Sequence, residues 1–176
     1  MNITKNALAG ALKDLMRQKP FEKISVSDIC EQCGLGRKSF YYHFKDKYDL
    51  VNWIFYVDFI GKMDIAAYDN GWDLIRDLCE HFYADKQFYR AALAIEGQNS
   101  FHDYILETFR PIMALSIREL YPDIREQSFF ADFFGDAFLA AIMRWLSDGM
   151  TMEPAELVDN LQRISVALAS NILKKQ

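Results

Sequence analysis

Apolar residues recur along this chain at the three-to-four spacing of helices, and no useful stretch shows the strict alternation of a half-buried strand. Leu8, Leu12, Leu15 and Met16 share one face of a segment over 4–18 that Pro20 stops. Phe21-Glu22-Lys23-Ile24 then reads as a short connector carrying two apolar plugs. Ser25 with Asp28 three residues on is a capping-box pattern, and it starts a second helix that Gly34 ends by taking the left-handed conformation of a sharp turn. A third helix follows over 36–43. Asp46 caps a fourth over 47–60, whose apolar face carries Leu50, Ile54 and Val57.

Further helices are predicted over 71–83, 85–95, 100–119, 126–148 and 154–174, punctuated by Gly71, Gly97, Pro122 and the Gly149–Pro154 stretch. Pro111 is expected to kink the 100–119 segment or divide it in two. The pattern therefore predicts an all-α protein of about nine helices. A three-helix head over 1–47 precedes a helical bundle over 48–176, and no repeat or low-complexity tract interrupts them.

The last two predicted helices stand apart. Residues 129–146 carry an aromatic stripe wider than a one-sided surface helix needs, and the final helix carries an aliphatic one. Phe130, Phe134, Ala137, Ala141, Leu157, Leu161, Ile164 and Leu168 are the candidates for an isologous four-helix interface between two copies of the chain.

Composition narrows the class. Four Pro and eight Gly in 176 residues favour long helices over turn-dense β structure. No segment approaches the roughly eighteen uninterrupted apolar residues of a membrane span, and the N-terminal apolar run is too short for a signal-peptide core. A cytoplasmic protein without membrane contact is the expectation. Cys30, Cys33 and Cys79 are an odd number and give no disulfide framework. Cys30 and Cys33 sit at i and i+3 with no second pair, which suits packing better than a metal. No metal or cofactor is expected. No phosphate loop, nucleophile elbow, paired-histidine motif or Cys/His dyad argues for an enzyme.

The net charge of −5 looks wrong for a protein that binds an anion until it is divided. Residues 1–50 hold nine Lys/Arg against six Asp/Glu, a balance of +3, whereas residues 51–176 hold eleven against nineteen, a balance of −8. Attraction to phosphate is local, so the acidic part does not veto a basic reading head. The 36–43 helix supplies one. Arg37, Lys38, Ser39, Tyr41, Tyr42 and His43 cannot all point inward while Phe40 and Phe44 hold the back. Arg is the side chain suited to bidentate contact with guanine, Lys to phosphate, and a histidine can donate to phosphate. Ser25 and Ser27 place hydroxyls at the N-terminal end of the second helix, where free N–H groups also favour an anion. These features identify a helix-turn-helix reader of the DNA major groove.

Residues 4–50 resemble the DNA-binding domain of the TetR family of bacterial transcriptional regulators. The likeness runs through Ser25-Val26-Ser27-Asp28-Ile29, Gly34-Leu35-Gly36, Ser39-Phe40-Tyr41-Tyr42-His43-Phe44 and Lys45-Asp46-Lys47. It implies that Ser25, Ser27, Gly36, Arg37, Lys38, Ser39, Tyr41, Tyr42, His43 and Lys47 form the DNA-binding surface, with Ser39 and Lys47 on phosphate. Ser27 stands where relatives often carry a basic residue. Gly36 has no side chain, so base reading shifts to Arg37, Lys38 and Tyr41.

The family resemblance further implies a homodimeric repressor on a palindromic operator, released when an effector binds residues 48–176. The fourth helix would be the lever between them. An aromatic middle section offers Trp53, Tyr56, Trp72, Phe82, Phe88, Tyr89, Phe101, Tyr104 and Phe109 as candidate pocket walls for a small-molecule effector. The stretch Ala141–Met150 and the Tyr48-Asp49-Leu50-Val51 entry are also similar to the subgroup that regulates dihydroxyacetone kinase operons. That subgroup includes members controlled by a protein coactivator instead of a small molecule.

Overall fold

The structure, a computed structural model, describes residues 3–64, 67–95, 100–120 and 127–173, with side chains for 3–64, 67–95, 100–111, 128–130 and 132–168. Nine α-helices and two 3-10 turns, and no strand, make up its regular structure among the described residues. They are α1 (Ile3–Met16), α2 (Val26–Gln32), α3 (Arg37–His43), α4 (Lys47–Asp58), α5 (Gly71–Ala84), α6 (Lys86–Leu93), α7 (Phe101–Leu120), α8 (Gln127–Ser147) and α9 (Pro154–Leu173). The all-α expectation holds. Pro111 does not divide its segment, because α7 runs through it as one helix. Gly97 and Pro122, two of the expected breaks, lie outside the described residues.

The chain forms two compact units. The first comprises 1–63 with 87–104, the second 64–86 with 105–176. In the first unit Leu8 and Leu12 of α1, Ile24 of the connector, Ile29 of α2, Phe40 of α3 and Leu50 of α4 are all at most 1% exposed. An ion pair of 2.8 Å between Lys13 and Asp58 ties α1 to α4 beside this core. A second, aromatic cluster lies further along α4. Phe55 stacks on Phe59 at 5.5 Å and meets Phe101 edge-on at 5.3 Å, while Tyr89 stacks on Phe101 at 5.9 Å. Each buried ring of this size removes enough apolar surface from water to contribute about 1.5–3 kcal/mol.

In the second unit α5 packs along α9, and Arg76 reaches Asp159 at 3.0 Å across that contact. Leu74, Ile75, Leu78 and Phe82 of α5 join Phe138, Leu139 and Ile142 of α8 and Val158 of α9 in the interior. The turn after α8 closes with the Gly149 N–H on the Leu146 carbonyl and the Met150 N–H on the Trp145 carbonyl, a Schellman pair made possible by φ of 85° at Gly149. Met150 also has positive φ, 53°, yet is buried. The Trp145 indole N–H donates to the Met152 carbonyl at 2.8 Å, which helps hold the chain through this bend.

Candidate nucleic-acid interface

Local chemistry fixes the helix-turn-helix at each of its corners. At the start of α2 the Asp28 N–H donates to the Ser25 hydroxyl at 3.1 Å and the Ser25 N–H donates to the Asp28 carboxylate at 2.8 Å, so the expected capping box is formed. The Lys19 ammonium adds a second contact to that carboxylate at 2.8 Å. Lys19 and the two Ser25 hydrogen bonds hold the Asp28 carboxyl down at about 2. At the end of α2 the Gly34 N–H bonds the Glu31 carbonyl and the Leu35 N–H bonds the Cys30 carbonyl. This is again a Schellman closure, and Gly34 supplies it with φ of 68°. Asp46 caps α4 by accepting from the Tyr48 and Asp49 N–H groups, both at 2.8 Å.

Between these corners α3 is partitioned sharply. Phe40 is 0% exposed and Phe44 3%, and their rings meet at 5.8 Å on the inner side. Tyr41 is 51% exposed and Tyr42 83%, and Arg37 and Lys38 are exposed as well. Arg37 and Tyr41, four apart, share a line along the helix, and the guanidinium lies 5.9 Å from the tyrosine ring. Lys38 and Tyr42 share the adjacent line. His43 is half-buried with its ring 4.8 Å from that of Tyr42, and Ser39 is half-buried. Ser25 is exposed and Ser27 half-buried at the start of α2. At Gly36, the residue before α3, an added Cβ would meet no atom of the protein within 4 Å. Nothing inside the chain therefore calls for glycine there.

Lys47, the first residue of α4, is half-buried, and its ammonium rests against the carbonyls of Phe21, Glu22 and Ile24. Burial pushes its pKa down, and Glu22 and Asp28 act against that shift. Sequence reasoning missed this seat, as it missed the Lys19–Asp28 pair, because neither partner lies within one helical turn of the other. Cys30 is buried and Cys33 half-buried, with the Cys33 thiol on the Ile29 carbonyl at 3.2 Å. Burial pushes the Cys30 thiol up. Among the described residues no group of three or more His, Cys, Asp or Glu could hold a metal.

The nine aromatic candidates for a pocket are divided between the two units. Trp53, Tyr56, Phe88, Tyr89, Phe101 and Tyr104 belong to the first; Phe88, Tyr89 and Phe101 are fully packed core, and Tyr56 is 50% exposed. Trp72, Phe82 and Phe109 belong to the second. Of the nine, Phe109 lines a cavity of about 30 Å³ that also touches Ile75, Leu78, Leu139 and Ile142, with the Arg110–Asp136 pair at 2.9 Å among its walls. Of the candidate interface residues, Leu157, Leu161 and Phe134 are buried within the second unit, whereas Ile164 is 57% and Leu168 43% exposed. Phe130 and Ala141 are half-buried and Ala137 is exposed. Among the described residues no helix is long and apolar enough to cross a membrane.

Comparison with known proteins agrees with this geometry. The family described as bacterial regulatory proteins, tetR family, matches residues 8–54, and a TetR family described as transcriptional regulator C-terminal region matches residues 69–166. The chain is 29% identical over 105 residues to the HTH-type dhaKLM operon transcriptional activator DhaS of Lactococcus lactis subsp. lactis (strain IL1403). That alignment takes in 60% of this chain and 56% of the relative, so the match spans little more than half the relative's length.

Among solved structures, the dihydroxyacetone kinase operon activator DhaS superposes with a TM-score of 0.67 at 23% identity, covering 98% of this chain and 97% of that one. NalD, the secondary repressor of the MexAB-OprM multidrug efflux pump in Pseudomonas aeruginosa, gives 0.64 at 16% identity, with 91% and 93% covered. A TetR transcriptional regulator from Streptococcus agalactiae 2603V gives 0.62 at 24%, with 92% of each chain covered. At these identities the structures speak for the fold. With the two family matches covering head and bundle alike, the chain belongs to the TetR family of bacterial transcriptional regulators.

Proposed function

We propose that this chain works as a cytoplasmic homodimer that reads a palindromic operator with α3 and is released from it by an effector acting on residues 48–176. The observation that carries the reading is the partition of α3. Phe40 and Phe44 lock one side into the core while Arg37, Lys38, Tyr41 and Tyr42 stand exposed on the other. Arg37 is suited to guanine O6 and N7, and Lys38, Tyr42 and His43 to the flanking phosphates. Tyr41, held beside Arg37, reads a base edge or a phosphate. Ser39 and the Ser25 and Ser27 hydroxyls at the start of α2 complete the phosphate contacts. Gly36 lets the backbone at the start of α3 approach the duplex, which accounts for a glycine that the protein interior does not require.

Two reading heads must lie roughly 34–36 Å apart to enter successive major grooves, which asks for a dimer. The apolar faces of α8 and α9, with Ile164 and Leu168 exposed in the single chain, supply the interface in this reading. Fluorescence-anisotropy titration of a labelled operator over a range of salt tests the reading. Arg37→Ala and Tyr41→Ala should each weaken binding by about 1–3 kcal/mol without lowering thermal stability. Unchanged affinity in both variants would remove α3 as the reader.

One observation favours a second reading of the control step, in which a protein coactivator acts instead of a small molecule. The cavity beside Phe109, about 30 Å³, has room for a water or two, whereas small-molecule sites run to about 300–1,000 Å³. The relative named as the activator of the dhaKLM operon supports activation in place of repression.

A further inference from the structure

The bend between α8 and α9 is built against a conformational cost. Gly149 and Met150 both have positive φ, 85° and 53°. Glycine adopts that conformation freely, but in methionine the Cβ crowds the following carbonyl oxygen. Met150 holds it while its side chain is buried, at 5% exposed. A residue in such a conformation persists only where its surroundings over-determine it.

Trp145 supplies most of those surroundings. Its carbonyl accepts from the Met150 N–H at 2.9 Å, and its indole N–H donates past the bend to the Met152 carbonyl at 2.8 Å. One residue therefore grips the chain at Met150 and again two residues later. The Tyr83 ring, in the last turn of α5, stacks on the indole at 6.1 Å and 15°. The Tyr83 hydroxyl donates at 3.1 Å to the carboxylate of Glu153, which directly precedes the first residue of α9. The Met152 sulfur accepts from the Asn160 side-chain amide of α9 at 3.6 Å. The end of α5, the end of α8 and the approach to α9 thus meet at one ring, itself 7% exposed and wholly within the second unit.

α9 is backed by its own chain only along its first half. Leu157, Val158 and Leu161 are buried and Asp159 pairs with Arg76. From 162 to 168 every residue but Ser165 is exposed, Ile164 and Leu168 among them. Leu168 lies fourteen residues beyond Pro154, about 21 Å along a helix, so a tilt of about 10° at the bend displaces it by about 4 Å. A shift of that size takes apolar side chains out of register with the holes that receive them. In an isologous interface the error occurs twice.

We propose that Trp145 is a positioning residue for self-association: through its indole N–H it fixes the bend that aims the second half of α9 at a second copy of the chain. The proposal rests on the homodimer reading above. Without the donor, the Met152 carbonyl is released and the backbone at Met150 is free to leave the left-handed region. The protomer core, formed by α5, α8 and the first half of α9, stays in place.

A tryptophan analogue with a benzothiophene ring, sulfur replacing the ring N–H, keeps the ring at position 145 and removes only the donor. The same analogue at Trp72, which packs edge-on against Phe138 in the same unit, is the control. Sedimentation equilibrium reads the dimer dissociation constant, and urea unfolding at concentrations below it reads the protomer. The expected result at position 145 is dimerisation weakened about ten-fold or more, with the urea midpoint of the protomer nearly unchanged and the control like the parent. Unchanged dimerisation would overturn the proposal. So would a fall in protomer stability that accounts for the whole loss, since the role would then be structural alone.

Should the position-145 protein fail to fold, nitrogen-15 spectroscopy of the parent's indole groups decides the matter. A Trp145 indole N–H protected from solvent exchange is expected, and one in rapid exchange would contradict the latch. A parent protein that stays monomeric would remove the dimer reading and this role with it, whereas a dimeric parent indifferent to the analogue would remove the role alone.

Discussion

α3 and α8 are both rich in aromatic residues, and they use them in opposite ways. In the seven residues of α3, exposure runs from 0% at Phe40 to 83% at Tyr42, with Ser39 and His43 half-buried between the two sides. In the twenty-one residues of α8, Phe134 and Phe138 are buried at 8% while Phe129 and Phe133 stand 65% and 53% exposed. In the proposed reading the exposed side of α3 meets DNA, and the exposed apolar rings of α8 meet a second copy of the chain.

Truncation should expose this contrast most strongly. Phe40→Ala is expected to cost about 3–5 kcal/mol in chemical denaturation, enough to unfold the head, while Phe129→Ala should stay within about 0.5 kcal/mol for the isolated protomer. Comparable losses at both sites would erase the distinction. Next in size is assembly. Ile164→Glu combined with Leu168→Glu should halve the mass seen in sedimentation at concentrations where the parent is dimeric, leaving cooperative unfolding in place. A parent protein that is already monomeric would contradict the dimer instead.

A smaller effect is expected at the turn of the head. Gly34→Ala puts a Cβ on a residue with φ of 68°, at a cost of about 1–2 kcal/mol, even though the added atom would meet nothing within 4 Å. The strain is conformational, so Gly36→Ala, on ordinary extended backbone, should cost less in the same denaturation experiment.

The smallest effect is the pH dependence of the Asp28 cap. Asp28 titrates at about 2 in the folded chain against an ordinary 3.8, so folding favours its ionised form. Its contribution is complete above about pH 4 and is lost as pH falls toward 2. Thermal melts of Asp28→Asn and the parent should therefore converge as acid is added across that window. A gap that widened on acidification would contradict the cap.

The same contrast explains what could be read from the chain without its structure. The head was legible because its corners are local: Ser25 and Asp28, Gly34, and Asp46 each act within three residues of their partners, and Phe40 and Phe44 repeat at one helical spacing. Contacts over longer separations left no mark. Lys19 meets Asp28 across Pro20, and Lys47 meets Phe21 and Ile24, with nothing in either sequence neighbourhood to announce it. The aromatic middle was misleading for a related reason. A ring that walls a pocket and a ring that fills a core obey the same periodicity, and Phe88, Tyr89 and Phe101 proved to be core. Of the two outcomes expected at Pro111, a kink or a division, the division is ruled out because one helix runs through it.

The most direct test of the central claim is selection of bound duplexes from a random pool by the full chain, at two salt concentrations. The account predicts enrichment of an inverted repeat with half-sites about one helical turn apart, bound more weakly at higher salt, and no such enrichment by the Tyr41→Ala protein. A pool that emerges unenriched, or an identical motif recovered with Tyr41→Ala and Arg37→Ala together, would contradict α3 as the element that reads DNA.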